Sequence, residues 1–109
     1  MAFMFQNLKV YQKALDFAEQ TSQLTETFPK GTYYLTDQLN RAALSIPLNI
    51  AEGNARNSTA DYVRFLRIAR GSLAEIKTQL VISKRLGYLP DATSTFLLMR
   101  TEELLRQLT

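Results

Sequence analysis

An all-α fold, an antiparallel up-down four-helix bundle, is what this sequence predicts, and three observations predict it. Four stretches carry apolar residues at the three- and four-residue spacing of a helix face. A proline, a glycine or a capping residue separates each stretch from the next, at Phe28-Pro29-Lys30-Gly31, at Asn57-Ser58 and from Gly87 to Pro90. The connections so defined are short, and short connections make consecutive helices antiparallel neighbours. At 109 residues the chain reads as a single domain, 1–109, with no linker, low-complexity segment or solenoid-period repeat.

Residues 1–7 read as a short lead-in whose Phe3 and Phe5 pack on the bundle or on a neighbour. The first helix is expected from Leu8 through Tyr11, Ala14, Leu15, Ala18 and Leu24 to Phe28. Val10, Phe17 and Thr21 widen its apolar face beyond a narrow coiled-coil seam. Phe28 precedes a proline and is pushed out of the helical region, so the chain turns through Lys30-Gly31-Thr32.

The second helix is expected from Tyr33–Thr36 to about Arg56, with Leu39, Ala43, Ile46 and Ile50 facing inward. Ser58, followed three residues later by Asp61, is a capping-box pattern with Asp in place of Glu or Gln. It opens the third helix, Thr59 to Leu86, whose core stripe is Tyr62, Phe65, Leu66, Ala69, Leu73, Ile76, Leu80 and Ser83. Gly87 closes that helix, and Asp91 is the expected N-cap of the last one. In the last helix Phe96, Leu97, Leu98, Met99, Leu104, Leu105 and Leu108 cover more than one stripe.

Helices two and three carry more apolar surface than one core needs. On helix two a second stripe, Leu44, Leu48, Ala51 and Ala55, lies about 140° around from the first at about 100° per residue. Pro47 sits inside this helix, where it removes one backbone hydrogen bond and crowds the carbonyl of Ala43. Its kink shapes a subunit interface or exposes the freed carbonyl of Ala43, or else is a tolerated bend. On helix three Gly71, with Ala74 and Thr78, makes a smooth patch that another backbone can approach closely. Leu44, Pro47, Leu48, Ala51, Ala55, Gly71 and Ala74 are therefore the expected contacts between copies of the chain.

The residues that are missing narrow the chemistry. The sequence has no histidine and no cysteine, which removes the usual general base near neutral pH, thiolate chemistry and the usual transition-metal ligands. The carboxylates are not clustered as in a calcium loop, so no metal and no cofactor are expected. Ser45 and Ser72 have no base partner, and the four glycines are scattered rather than gathered into a phosphate loop. A non-enzymatic protein is expected. The N-terminal Met-Ala-Phe-Met-Phe lacks the basic region of a signal peptide, and no apolar run approaches a membrane span, so the expected location is cytoplasmic.

Thirteen Lys plus Arg against ten Asp plus Glu leave a net charge of +3, compatible with a polyanionic partner. The arrangement says more than the sum. Arg64, Arg67 and Arg70 step around helix three by about 60° each, while Arg70, Lys77 and Lys84 recur every seven residues and share a face. Arg56 lies just before this helix. Arg56, Arg64, Arg67, Arg70, Lys77 and Lys84 are the candidate contacts to nucleic-acid phosphates, the groups that dominate such affinity; a solvated charged face is the plainer reading. Tyr62 and Phe65 read as core, and Tyr33, Tyr34 and Tyr88 lie near helix ends, so the signal for base stacking is weak. Arg41, Glu52 and Glu75 are expected in structural ion pairs, within one bundle or between bundles, with Arg70 as a further partner.

The segment Ser45-Ile46-Pro47, then Asn49-Ile50-Ala51-Glu52-Gly53, resembles the signature of the four-helix-bundle proteins encoded in 23S rRNA intervening sequences. Arg64 to Leu89 is similar to further blocks of that family, whose superfamily includes the accessory variability proteins of diversity-generating retroelements. The resemblance implies a homopentamer around a central channel and, from the accessory proteins, contact with nucleic acid and a reverse transcriptase through basic surfaces. Arg56, Arg64, Arg67 and Arg70 are the positions to which that role would carry over. Three readings follow: a homo-oligomer that binds RNA, a scaffold that recruits a reverse transcriptase or another enzyme, and an oligomer with no nucleic-acid role.

Overall fold

The computed structural model describes residues 3–108, with side chains from Leu8 onward, and consists of four helices. They are α1 (Phe3–Thr25), α2 (Tyr33–Asn54), α3 (Thr59–Arg85) and α4 (Asp91–Gln107). There is no strand among the described residues. Contacts between consecutive helices run in opposite chain directions. Asn40 of α2 reaches back to Thr25, Ser45 of α2 touches Ser72 of α3, and Lys77 and Lys84 of α3 meet Glu102 and Asp91 of α4. α2 packs most extensively, against α3 and then α1, whereas α4 rests on α3 and touches α1 lightly.

Helix ends follow local chemistry, with three departures from expectation. α1 already runs at Phe3, because neither proline nor glycine interrupts residues 3–8; how the Phe3 and Phe5 side chains pack lies outside the described residues. It stops at Thr25 rather than Phe28, since the amides of Thr27 and Phe28 donate three residues back, to Leu24 and Thr25, and tighten the chain into turns. At α4 the capping residue is Pro90 in extended conformation, and Asp91 is the first helical residue instead of the cap. The other signals hold. The Ser58 hydroxyl accepts from the Asp61 amide at 3.1 Å. Gly87 takes a φ of 80°, letting its own amide and that of Tyr88 cap the carbonyls of Lys84 and Ser83 in a Schellman arrangement.

The core is built from Val10, Ala14 and Phe17 of α1, Leu39, Ala43, Ile46 and Ile50 of α2, Ala69, Leu73, Ile76 and Leu80 of α3, and Leu97 and Leu104 of α4. Buried hydroxyls of Thr21, Ser83 and Thr101 donate to carbonyls one turn back, which lets them sit in an apolar interior. The helices differ in length, and that positions the candidate site. α3 has 27 residues and α4 has 17. With Lys77 opposite Glu102 and Lys84 opposite Asp91, α4 ends near the level of Gly71. The first three turns of α3 therefore overhang α4 and, among the described residues, are supported by α2. Accordingly Tyr62, Phe65 and Leu66 are only half-buried, although they continue the stripe that is sealed from Ala69 onward.

Candidate nucleic-acid interface and assembly surface

The overhang is held to α2 at one close approach. Gly53 is buried in the last turns of α2; a Cβ there would lie 3.2 Å from the Phe65 Cβ and 3.3 Å from the Tyr62 carbonyl oxygen. Only a residue without a side chain allows this spacing undisturbed. It sets Phe65 beside the α2–α3 turn, and both neighbouring arginines fold onto the ring. The Arg56 guanidinium carbon lies 4.7 Å from the ring centroid and that of Arg64 4.6 Å. Arg56 also donates to Glu52 at 3.0 Å, and Arg64 lies 4.0 Å from Asp61.

Arg67 and Arg70, one and two turns further along α3, are exposed and form no ion pair among the described residues. Lys77 and Lys84 differ. Lys77 meets Glu102 at 2.6 Å and Lys84 comes within 3.9 Å of Asp91, so both are drawn to the acids of α4 and help seat that helix. Lys77 and Lys84 thus share a face that looks toward α4, which the expectation of a free basic run did not include. Hydrogen bonding from Lys77, and its charge, hold the Glu102 carboxyl below the usual range, and Lys13 with Arg100 do the same to Glu103.

Within one bundle the described residues show one of the ion pairs expected in or between bundles for Arg41, Glu52 and Glu75. Glu52 pairs with Arg56, four residues on along the same chain, while Arg41 and Glu75 are exposed without an ion pair among the described residues. The second apolar stripe of α2 is open to solvent: Leu44 and Leu48 are 55% and 56% exposed, with Ala51 and Ala55 exposed beside them. On α3 Gly71 and Ala74 are exposed, nothing lies within 4 Å of a Cβ placed on Gly71, and Ile68, Val81 and Ile82 flank the patch. Pro47 does not belong to this surface. It is buried in its own bundle, because four residues beyond Ala43 it falls on the edge of the inward stripe.

Phe65 and the α4 acids are what sequence reasoning missed. The two arginines that flank an aromatic at the α2–α3 turn were a usable signal for the first, and the adjacent Glu102-Glu103 for the second. Among the described residues no group of three or more His, Cys, Asp or Glu lies close enough to hold a metal, and no helix is long and apolar enough to cross a membrane.

Fold and surface together define a small helical-bundle protein with an arginine-rich overhang and exposed apolar helix faces. The family model for the 23S rRNA-intervening sequence protein matches residues 6–109, and the chain belongs to that family. Among solved structures it is similar to a protein of unknown function from the S23 ribosomal protein family of Bacteroides thetaiotaomicron, at 24% identity, with 94% of each chain covered and a TM-score of 0.89. At that identity the likeness is one of fold. A comparison with curated proteins finds no match.

Proposed function

We propose that this protein is a non-enzymatic RNA-binding protein that works as a homo-oligomer. Its RNA contacts are arginines of the α2–α3 turn and the first half of α3, and its copies join through the exposed stripes of α2 and α3. The observation that carries the RNA reading is the state of Arg67 and Arg70: exposed, three and six residues along α3 from Arg64, and unpaired among the described residues while Lys77 and Lys84 beyond them meet acids of α4. Unpaired guanidiniums keep their charge available for phosphates, and copies in one assembly repeat the patch so that its field adds up. The family description, tied to 23S rRNA, agrees in kind.

The test is a salt titration of binding to a labelled structured RNA, with the oligomer mass established by light scattering. Affinity is expected to fall linearly on a log–log plot against salt. The double variant Arg67→Ala/Arg70→Ala should make that slope shallower by roughly 1.5, at 0.7 to 0.9 per phosphate contact, with the mass unchanged. No detectable binding at low salt by an intact oligomer would sink the RNA reading. It would favour the scaffold that recruits a reverse transcriptase or another enzyme through the same faces.

A further inference from the structure

Arg56 and Arg64 come from different elements, one just beyond α2 and one on α3, yet both guanidiniums settle within 4.7 Å of the same ring centroid. Each is also held by a carboxylate on its own side, Glu52 or Asp61. Their side chains nevertheless remain 43% and 62% exposed, so each presents surface to solvent while the ring fixes its position. A guanidinium is planar and weakly hydrated over its faces, and it stacks on π systems as an ammonium cannot. A phosphate needs only the charge and the in-plane donors. An exposed guanidinium already seated on an aromatic offers a flat cationic face as well, and the ligand that matches it is flat, π-rich and joined to negative charge.

We infer that Arg56, Phe65 and Arg64 form a stacking platform for an unpaired nucleobase, so that the RNA is recognised at a loop, bulge or single-stranded junction. This rests on the RNA-binding reading proposed above and narrows its substrate class. In the interior of a duplex each base face is covered by its neighbours, and the platform has nothing to stack on; an unpaired base can be splayed onto it. Arg67 and Arg70 follow at intervals of three residues, about 4.5 Å of helix rise each, and meet the phosphates of the same strand. The base supplies the preference for unpaired RNA and the phosphates most of the affinity.

The experiment compares a single-stranded RNA with a blunt duplex of the same length, each across a salt series, using fluorescence anisotropy. A surface that reads charge alone prefers the duplex, which has the denser phosphates; the platform reverses that order. The single strand is expected to bind roughly tenfold tighter. Arg64→Lys keeps the charge but not the plane, and should abolish most of that preference while leaving the salt slope unchanged. A 2-aminopurine in the single strand reports stacking directly, with quenching on the native protein that Arg64→Lys reduces; circular dichroism establishes that the variant folds. Equal or tighter duplex binding overturns the platform and leaves RNA binding standing, as does an Arg64→Lys variant that keeps the full single-strand preference. If neither RNA binds at low salt, both readings fall together.

Discussion

Gly53, near the end of α2, and Gly71, inside α3, are both helical glycines, and their surroundings assign them opposite consequences. A side chain at Gly53 meets the Phe65 Cβ and a backbone carbonyl of Tyr62, and the carbonyl cannot rotate aside as a flexible side chain would. Gly53→Leu should destabilise the fold by about 2 kcal/mol or more through overpacking. Gly71→Ala meets nothing within 4 Å and should stabilise the isolated chain by up to about 1 kcal/mol through helix propensity. Urea unfolding of both variants under conditions that keep the chain monomeric checks the pair; equal and opposite signs reversed, or two neutral results, would refute the packing argument. From sequence the two glycines look alike. What separates them is the partner helix, which periodicity does not name. Phe65 shows the same limit: its place in the stripe is correct, but the stripe has no record of where α4 ends.

Among the elements α4 is the least firmly seated, since it leans on α3 and only lightly on α1. Partly exposed ion pairs border it: Lys77–Glu102 on the α3 side and Lys13–Glu103 on the α1 side. Each contributes little alone, as surface pairs do. Their acids titrate below the ordinary glutamate range because the lysines, and Arg100 at Glu103, stabilise the charged form. The sign follows from that. A depressed carboxyl contributes stability that is fully present above its unfolded value, about 4.3, and is lost as pH falls through the lower folded value. Lys13→Met/Lys77→Met should therefore unfold at lower urea than the native chain at about pH 6, with the gap closing toward about pH 2. Parallel curves across that range would show that the pairs do not couple to folding. The heptad run of Arg70, Lys77 and Lys84 was legible in the sequence as one face. That α4 acids occupy the space opposite it was not, because spacing within a helix carries no information about its neighbour's register.

For the whole molecule the apolar surface left uncovered by one bundle is the feature with the widest reach. Leu44 and Leu48 lie outside the core that Leu39, Ala43, Ile46 and Ile50 complete, and α3 presents its small-residue patch on a different face. Exposed apolar surface of this kind supports the homo-oligomer proposed above. Leu44→Glu/Leu48→Glu should lower the mass measured by light scattering toward that of one chain while helical circular dichroism is retained. A native protein already monomeric at high concentration, or a variant that still assembles fully, would remove these residues from the interface. The two-stripe pattern on α2 was plain from the sequence alone, since a helix cannot bury opposite faces in one core. Pro47 was misplaced because its position at the stripe edge depends on which neighbours close around it.

The overhang of α3 also gives the molecule polarity. Its α2–α3 end projects, narrow and guanidinium-bearing, past the level where α4 stops; the opposite end is squared off by two turns and carries Tyr33, Tyr34 and Tyr88. Copies related by a cyclic rotation all point the same way. A homo-oligomer of the proposed kind, with its bundles along a cyclic axis, would have two unlike rims, one crowned with arginine and the other edged with tyrosine. Such a particle would have a front and a back, and an RNA strand would be received at one face only.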